Sequence, residues 1–162
     1  MILVSGDHKN TVLNYAVKAN LISKEDVSNP ESLRIISGEE LRKKAGSIMQ
    51  DNSNAVLERK ESFRETVINT NLKIVYRATP EDKQLLAVGL KEHSYTVALT
   101  GEGISDVKGL EYSDVGFAMG SGVSAAKNSA TMILVEDNVN SIINAVIWGR
   151  NIYSNSRKFI QF

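Results

Sequence analysis

The 162-residue sequence predicts an α/β layered fold built on a mostly parallel sheet. Three observations point to it. Short apolar runs of strand length alternate with segments of helical periodicity almost throughout. Three of these runs end in polar or acidic residues, Ser5-Gly6-Asp7, Arg77 and Thr100-Gly101-Glu102-Gly103, as at the ligand-bearing carboxyl ends of parallel strands. The composition, 42% hydrophobic and 23% charged, suits a globular domain large enough to bury a core without disulfides.

The first strand is expected over Ile2 to Val4, running into the turn Ser5-Gly6-Asp7. A helix follows over Thr11 to Ala19, with Val12, Leu13, Ala16 and Val17 on one face. Leu33 to Ile36 reads as a strand, and Ser37-Gly38-Glu39-Glu40-Leu41 as a helix start. Residues 47–62 are the most polar stretch and read as a surface excursion. Ile74-Val75-Tyr76 is the next strand. Thr79-Pro80-Glu81-Asp82 then opens a helix: a capping Thr, Pro at the first helical position, acids in the first turn. Further strands are expected over Tyr95 to Leu99, Val115 to Met119 and Met132 to Val135. Short helices lie around Asp106 to Leu110 and around Ala125, Ala126 and Ala130. A long helix over Val139 to Phe162 carries Ile142, Ile143, Val146, Ile147 and Tyr153 on one stripe, with Trp148 and its aromatic neighbours expected to pack.

Lys+Arg and Asp+Glu both number 19, so no bulk charge draws the chain to nucleic acid. With no Cys, thiolate chemistry and a disulfide scaffold are excluded. No apolar run approaches the roughly 20 residues that span a bilayer, and the opening MILV is too short for a signal peptide.

In Thr100-Gly101-Glu102-Gly103-Ile104-Ser105-Asp106, two glycines permit a tight turn after a strand. Glu102 and Asp106 lie four apart, so one turn brings two carboxylates together, a pair suited to a hard cation such as magnesium. A plain strand-to-helix turn with a solvated acid pair has the same spacing. Ser5-Gly6-Asp7 offers a hydroxyl and backbone amides to phosphate oxygens, or is an ordinary capped turn. Lys83, early in its helix, is placed to neutralise a phosphoryl group at the strand ends, although a solvated helix lysine is commoner. His8 and His93 have no partner pattern and read as ligands to nothing.

The order of these motifs is more specific than any one of them. Ser5-Gly6-Asp7, then Arg77-x-x-Pro80-x-x-Lys83, then Thr100-Gly-Glu-Gly-x-Ser-Asp106, then Asp114-Val-Gly-Phe-Ala-Met-Gly120 resembles the phosphorylation domain of a P-type cation-transporting ATPase, of the haloacid-dehalogenase-like superfamily. The stretches Ala130 to Asn138, Trp148 to Tyr153 and Arg157 to Phe162 are similar to plasma-membrane-type calcium pumps. The resemblance is tight from Lys73 onward, clear over residues 1–22 and loose between.

It implies a three-layer Rossmann-like fold and a role for each matching residue. Asp7 would position the phosphoryl group and nucleotide, and Lys83 would neutralise charge at an aspartyl-phosphate. Ser5, Gly6, Arg77, Thr100 and Gly101 would line the phosphate and nucleotide. Glu102 and Asp106 would hold Mg2+, with ATP the substrate of the whole pump. The family's nucleophile, the Asp of Asp-Lys-Thr-Gly-Thr, has no counterpart here. The chain therefore resembles the C-terminal part of that domain only, residues 1–162, without its central nucleophile strand and ending where a transmembrane stalk helix would begin. That strand would lie between those of Ile2 to Val4 and Tyr95 to Leu99. Its absence requires those two strands to pair directly or leaves two open edges, and self-association through such edges is expected. Within the motifs, Glu102 replaces Asp, Ser105 replaces Asn and Ser5 replaces Thr. The extra methylene of Glu102 moves its carboxylate by about 1.5 Å, and a 1 Å misplacement can cost roughly 100-fold in rate.

Three readings follow. The first is a fragment of a calcium-transporting pump on the cytoplasmic side of a membrane, partnered by the pump's nucleotide-binding, actuator and transmembrane parts and inactive alone. The second is a pseudoenzyme or regulatory module that keeps the fold to bind a partner. The third, a stand-alone phosphohydrolase, requires a nucleophilic Asp in a setting the sequence lacks.

Overall fold

A computed structural model of the chain describes residues 1–23, 27, 35–46, 60–138 and 140–162. The strands form two separate three-stranded sheets, both parallel. In the first, β1 (Leu3–Val4) and β2 (Ile35–Ser37) flank β3 (Ile74–Tyr76). In the second, β4 (Ala98–Gly101) and β6 (Met132–Leu134) flank β5 (Val115–Met119). The central strands are the apolar ones: Ile74, Val75, Phe117 and Ala118 are all buried, as expected for parallel strands covered on both faces.

The expected single sheet is thus split. The two strands expected to flank an absent neighbour, β1 and β4, are both edge strands and do not pair with each other. Leu3 and Ser5 donate their amides to β3 and its flank, at Lys73 and Val75. By alternation the N–H and C=O of Val4 face the open side. On β4, Ala98 and Thr100 are exposed.

Helices cover both faces of the first sheet. On one face, Val12 and Ala16 of α1 (Lys9–Lys18) pack on Ile74 with Ile22. On the other, Leu41 and Ala45 of α2 (Gly38–Ala45), Phe63, Val67 of a π-helical segment (Arg64–Asn69), and Leu85 and Leu86 of α3 (Pro80–Glu92) enclose Ile36 and Val75. The opposite side of α3 packs on α4 (Val107–Tyr112), which lies against β4 and β5. Helix α3 is therefore the joint between the two sheets. A short α5 (Ser124–Ser129) buries Ala126, and α6 (Asn140–Gln161) closes the described structure.

Both strong helix starts form as the local chemistry dictates. Ser37 caps α2, accepting from the Glu40 amide while the Glu40 carboxylate accepts from the Ser37 amide. At α3 the Asp82 carboxylate accepts from the Thr79 amide and Pro80 takes the first helical position.

Some expectations need correction. The fourth strand begins at Ala98, not Tyr95. Ser94 turns through φ 64° and the Tyr95 amide closes back on Leu90, so these residues finish α3 instead of starting a strand. The long C-terminal helix forms, but α6 buries no residue, and Trp148, expected to pack, is 68% exposed. Leu33, residues 47–59 of the polar excursion over 47–62, and Val139 lie outside the described residues, while residues 60–62 are helical.

Candidate functional site

The residues singled out by sequence fall into two groups at the carboxyl ends of the strands. The first lies beyond β1 and β3. Two backbone bonds zip the loops after these strands together: Arg77 N–H to Asp7 C=O at 3.0 Å and Ala78 N–H to Ser5 C=O at 2.9 Å. The Ser5 hydroxyl donates to Asp7 Oδ2 at 2.9 Å, and the Asp7 amide donates to Ser5 Oγ at 3.2 Å. Gly6 and Asp7 are exposed, with the carboxylate turned to solvent and tied only locally. Arg77 holds φ 50°, a backbone region costly for a long side chain. Its guanidinium donates to His8 Nδ1 at 3.0 Å, across 69 residues of sequence. Sequence reasoning missed His8, because nothing local marks it as a partner of Arg77.

The second group lies beyond β4. Lys83, in the second turn of α3, donates to Asp106 Oδ1 at 2.6 Å and to Ser105 Oγ at 3.0 Å. The Asp106 Oδ2 accepts from the amides of Glu102 and Gly103, both at 3.0 Å. The pair is well sheltered, with side-chain exposures of 11% for Lys83 and 14% for Asp106. Burial opposes the Asp106 charge, but the Lys83 hydrogen bond and the two amides outweigh it, so its carboxyl sits below the usual value. Gly101 is a structural requirement here. A Cβ at that position would stand 2.4 Å from the Asp106 Cβ, so any larger residue would push the aspartate off the loop.

Glu102 points elsewhere. Its backbone C=O accepts from Val123 N–H at 2.9 Å, while its exposed side chain has no hydrogen bond or ion pair among the described residues. Thr100 is exposed at the same strand end. Among the described residues no hydrogen bond or ion pair joins this group to the first. They are linked through the Arg77–Lys83 segment.

Between them sits a polar cluster that the sequence does not announce. Asp82 is wholly buried, and its Oδ2 accepts from Arg42 NH1 at 2.5 Å, the Thr79 amide at 2.8 Å and the Thr79 hydroxyl at 3.1 Å. Its Oδ1 has no partner among the described residues.

With this geometry established, the fold and its strand-end cluster define the class: a haloacid-dehalogenase-like Rossmann arrangement of the kind found in P-type ATPase domains. Among solved structures, a zinc-transporting PIB-type ATPase matches with a TM-score of 0.51 and 25% identity, over 67% of this chain and 17% of that one. A second structure of a zinc-transporting PIB-type ATPase, in a different state, matches with a TM-score of 0.51 over 63% of this chain and 16% of that one.

More particularly, the chain is homologous to a segment of the plasma-membrane calcium-transporting P-type ATPases. It is 35% identical over 161 residues to calcium-transporting ATPase 5, plasma membrane-type, of Oryza sativa subsp. japonica, covering 99% of this chain and 13% of that protein. It is 34% identical over 170 residues to human plasma membrane calcium-transporting ATPase 4, covering 99% and 12%. P-type sodium-transporting ATPase4 of Toxoplasma gondii is 32% identical over 163 residues, covering 100% and 11%. The chain thus spans about an eighth of the length of these relatives. No family model matches it.

P-type ATPases use ATP and Mg2+, so the fit of magnesium to these residues can be tested. Among the described residues no three carboxylates or imidazoles gather to hold a metal. Asp106 is already neutralised by Lys83 and two amides, and Glu102 is exposed without a partner among the described residues. Magnesium asks for near-octahedral oxygen ligands. These residues do not by themselves fit it.

Proposed function

We propose that residues 1–162 are the C-terminal part of the phosphorylation domain of a calcium-transporting P-type pump, on the cytoplasmic side of its membrane. The whole pump would couple ATP hydrolysis, through an aspartyl-phosphate, to cation transport. The observation that carries this reading is the Lys83–Asp106 pair, at 2.6 Å across 23 residues, at the carboxyl end of β4. It holds a cation, fixed and partly desolvated, at the strand ends, where a phosphoryl group's charge would need it. Homology over nearly the whole chain supports the assignment.

In this reading Lys83 and Asp7 serve the phosphoryl group. Ser5, Gly6, Arg77, Thr100 and Gly101 shape the phosphate and nucleotide surface, and Glu102 and Asp106 edge the metal site that other parts of the pump complete. The chain alone has no Asp-Lys-Thr-Gly-Thr nucleophile. Covalent catalysis cannot begin without that carboxylate.

The test is a chimera. The corresponding segment of a plant plasma-membrane-type calcium pump is replaced by this chain, and calcium-dependent phosphorylation from labelled ATP is followed. A hydroxylamine-sensitive phosphoenzyme that Lys83→Ala abolishes is the expected result. The isolated chain, treated alike, takes up no such label. Glu102 in the place of the family's Asp, with no side-chain partner among the described residues, favours a second reading, a pseudoenzyme or regulatory module. A chimera that stays unlabelled until Glu102→Asp restores phosphorylation would select it.

A further inference from the structure

The backbone bond from Arg77 to Asp7 brings the next residue, His8, beside the arginine side chain. His8 holds the N-cap position of α1, yet its side chain makes no capping bond. Its ring Nδ1 lies 3.0 Å from a guanidinium nitrogen of Arg77. A guanidinium offers only donors and keeps its charge at any ordinary pH. Nδ1 must therefore be the acceptor, which makes the ring neutral with its proton on Nε2. Protonating the ring turns Nδ1 into a donor and sets two cations at hydrogen-bond distance. Histidine is the side chain whose charge ordinarily changes between about pH 5 and 8. The other charged groups of this corner are engaged elsewhere. The Asp7 carboxylate is tied to the Ser5 hydroxyl, and Lys9 of α1 lies over the Tyr76 ring, 5.9 Å from its centroid. The Glu40 carboxylate of α2 accepts from the Ser37 amide.

We infer that His8 is a positioning residue for Arg77: its neutral imidazole holds the guanidinium at the carboxyl ends of β1 and β3 for the nucleotide, and releases it on protonation. The inference rests on the reading of Arg77 as part of the nucleotide surface and adds a pH control to that surface. The bond uses one nitrogen of the planar fork, and the other N–H groups are left for phosphate or ribose oxygens. Holding a long side chain in place beforehand removes its ordering cost on binding, worth roughly two- to twelvefold in affinity.

Two measurements test it. In the isolated chain, the His8 ring and the Arg77 side-chain Nε–H are followed by heteronuclear NMR across neutral pH. The chain's two histidines are told apart by the His8→Gln variant. We expect the Arg77 signal to move along the same pH curve as the His8 ring. It should stay still in His8→Gln, whose amide oxygen accepts at every pH. In the calcium-pump chimera, the KM for ATP in phosphoenzyme formation is compared at about pH 6 and about pH 8. The chimera with His8 should match its His8→Gln counterpart at about pH 8. At about pH 6, where about a quarter of ordinary imidazoles are still neutral, its KM should be roughly two- to threefold higher, with the maximal rate the same. His8→Ala should raise KM at both. The inference fails if Arg77 does not titrate with His8, if it titrates equally in His8→Gln, or if the KM ratio is the same at both pH values. A chimera that takes no label at either pH overturns the pump reading instead, and the shared titration then decides alone whether His8 holds Arg77.

Discussion

Replacing Arg42 with Ala should destabilise the chain more than replacing Asp82, although the two share one ion pair. The Asp82 side chain is fully buried, whereas Arg42 is 38% exposed. In Asp82→Ala, the arginine swings into water and keeps its charge hydrated. What is lost is one half of the Thr79 capping box, about 1 kcal/mol, and a share of the ion pair. In Arg42→Ala, the carboxylate stays where it is, held to the Thr79 amide and hydroxyl, with no counter-charge and with Oδ1 already unpartnered. Stranding one member of a buried pair costs about 3–5 kcal/mol. The partial exposure of Arg42 argues for the lower end, about 3 kcal/mol, because water replaces part of what the guanidinium supplied. A domain of this size unfolds with roughly 5–15 kcal/mol in hand, so the loss is large. At about 2–4 °C per kcal/mol, the Arg42→Ala midpoint should fall by about 10 °C, and that of Asp82→Ala by about half as much. Thermal and urea unfolding followed by circular dichroism measure both, with the double variant closing the cycle. Equal losses, or an Arg42→Ala cost below about 1 kcal/mol, would show that Asp82 is not held as described.

Gly89→Ala should destabilise, against the usual gain of about 1 kcal/mol from helix propensity. Its Cβ would sit 2.4 Å from the ring of Phe63, which is buried and stacked on His93, and overpacking of this kind costs about 1–3 kcal/mol; an unchanged urea midpoint would contradict it. Because the Asp106 carboxyl is held below its unfolded value, its contribution is present above about pH 4 and is lost as pH falls through the folded value. In Lys83→Met that acid-side loss should shrink, and superimposable stability–pH curves for the two proteins would refute the role given to Lys83. The open edges of β1 and β4 should drive self-association, since unpaired strand edges template pairing with other chains. Light scattering that reports a monodisperse monomer, with a cooperative melt above about 60 °C, would overturn this.

What was legible in the sequence was local. Thr79-Pro80 and Ser37-Gly38 announce their helices because cap and partner lie three residues apart. Val115–Met119 is legible as a strand because its apolar run is bounded by Asp114 and Gly120. The end of α3 was misread because Tyr95 and Thr96 are good strand formers. The positive φ of Ser94 that takes the chain out of its helix leaves no mark in a single sequence. Contacts across distance were invisible altogether: Arg42 finds Asp82 over 40 residues, and Arg77 finds His8 over 69. At the candidate site, the resemblance picked out Lys83 and Asp106, which the structure brings together, whereas the Glu102 side chain makes no hydrogen bond or ion pair among the described residues. Four residues of separation allow two carboxylates to meet, and here the amides of Glu102 and Gly103, with Lys83, hold the Asp106 carboxylate instead.

The α3–α4 joint carries a mechanical consequence. Gly109 of α4 lies so near α3 that a Cβ there would be 3.3 Å from the Lys83 Cβ and 2.8 Å from a methyl of Leu99. Lys83 therefore stands at a close approach between α3 and α4, like a pin set beside an axle. A rotation that leaves distant residues of each half undisturbed in their own frame must still slide Lys83 past Asp106. The distance between these two side chains is thus the natural gauge of the angle between the sheets. A distance probe set across this joint would read domain motion directly as a change in charge pairing at the site.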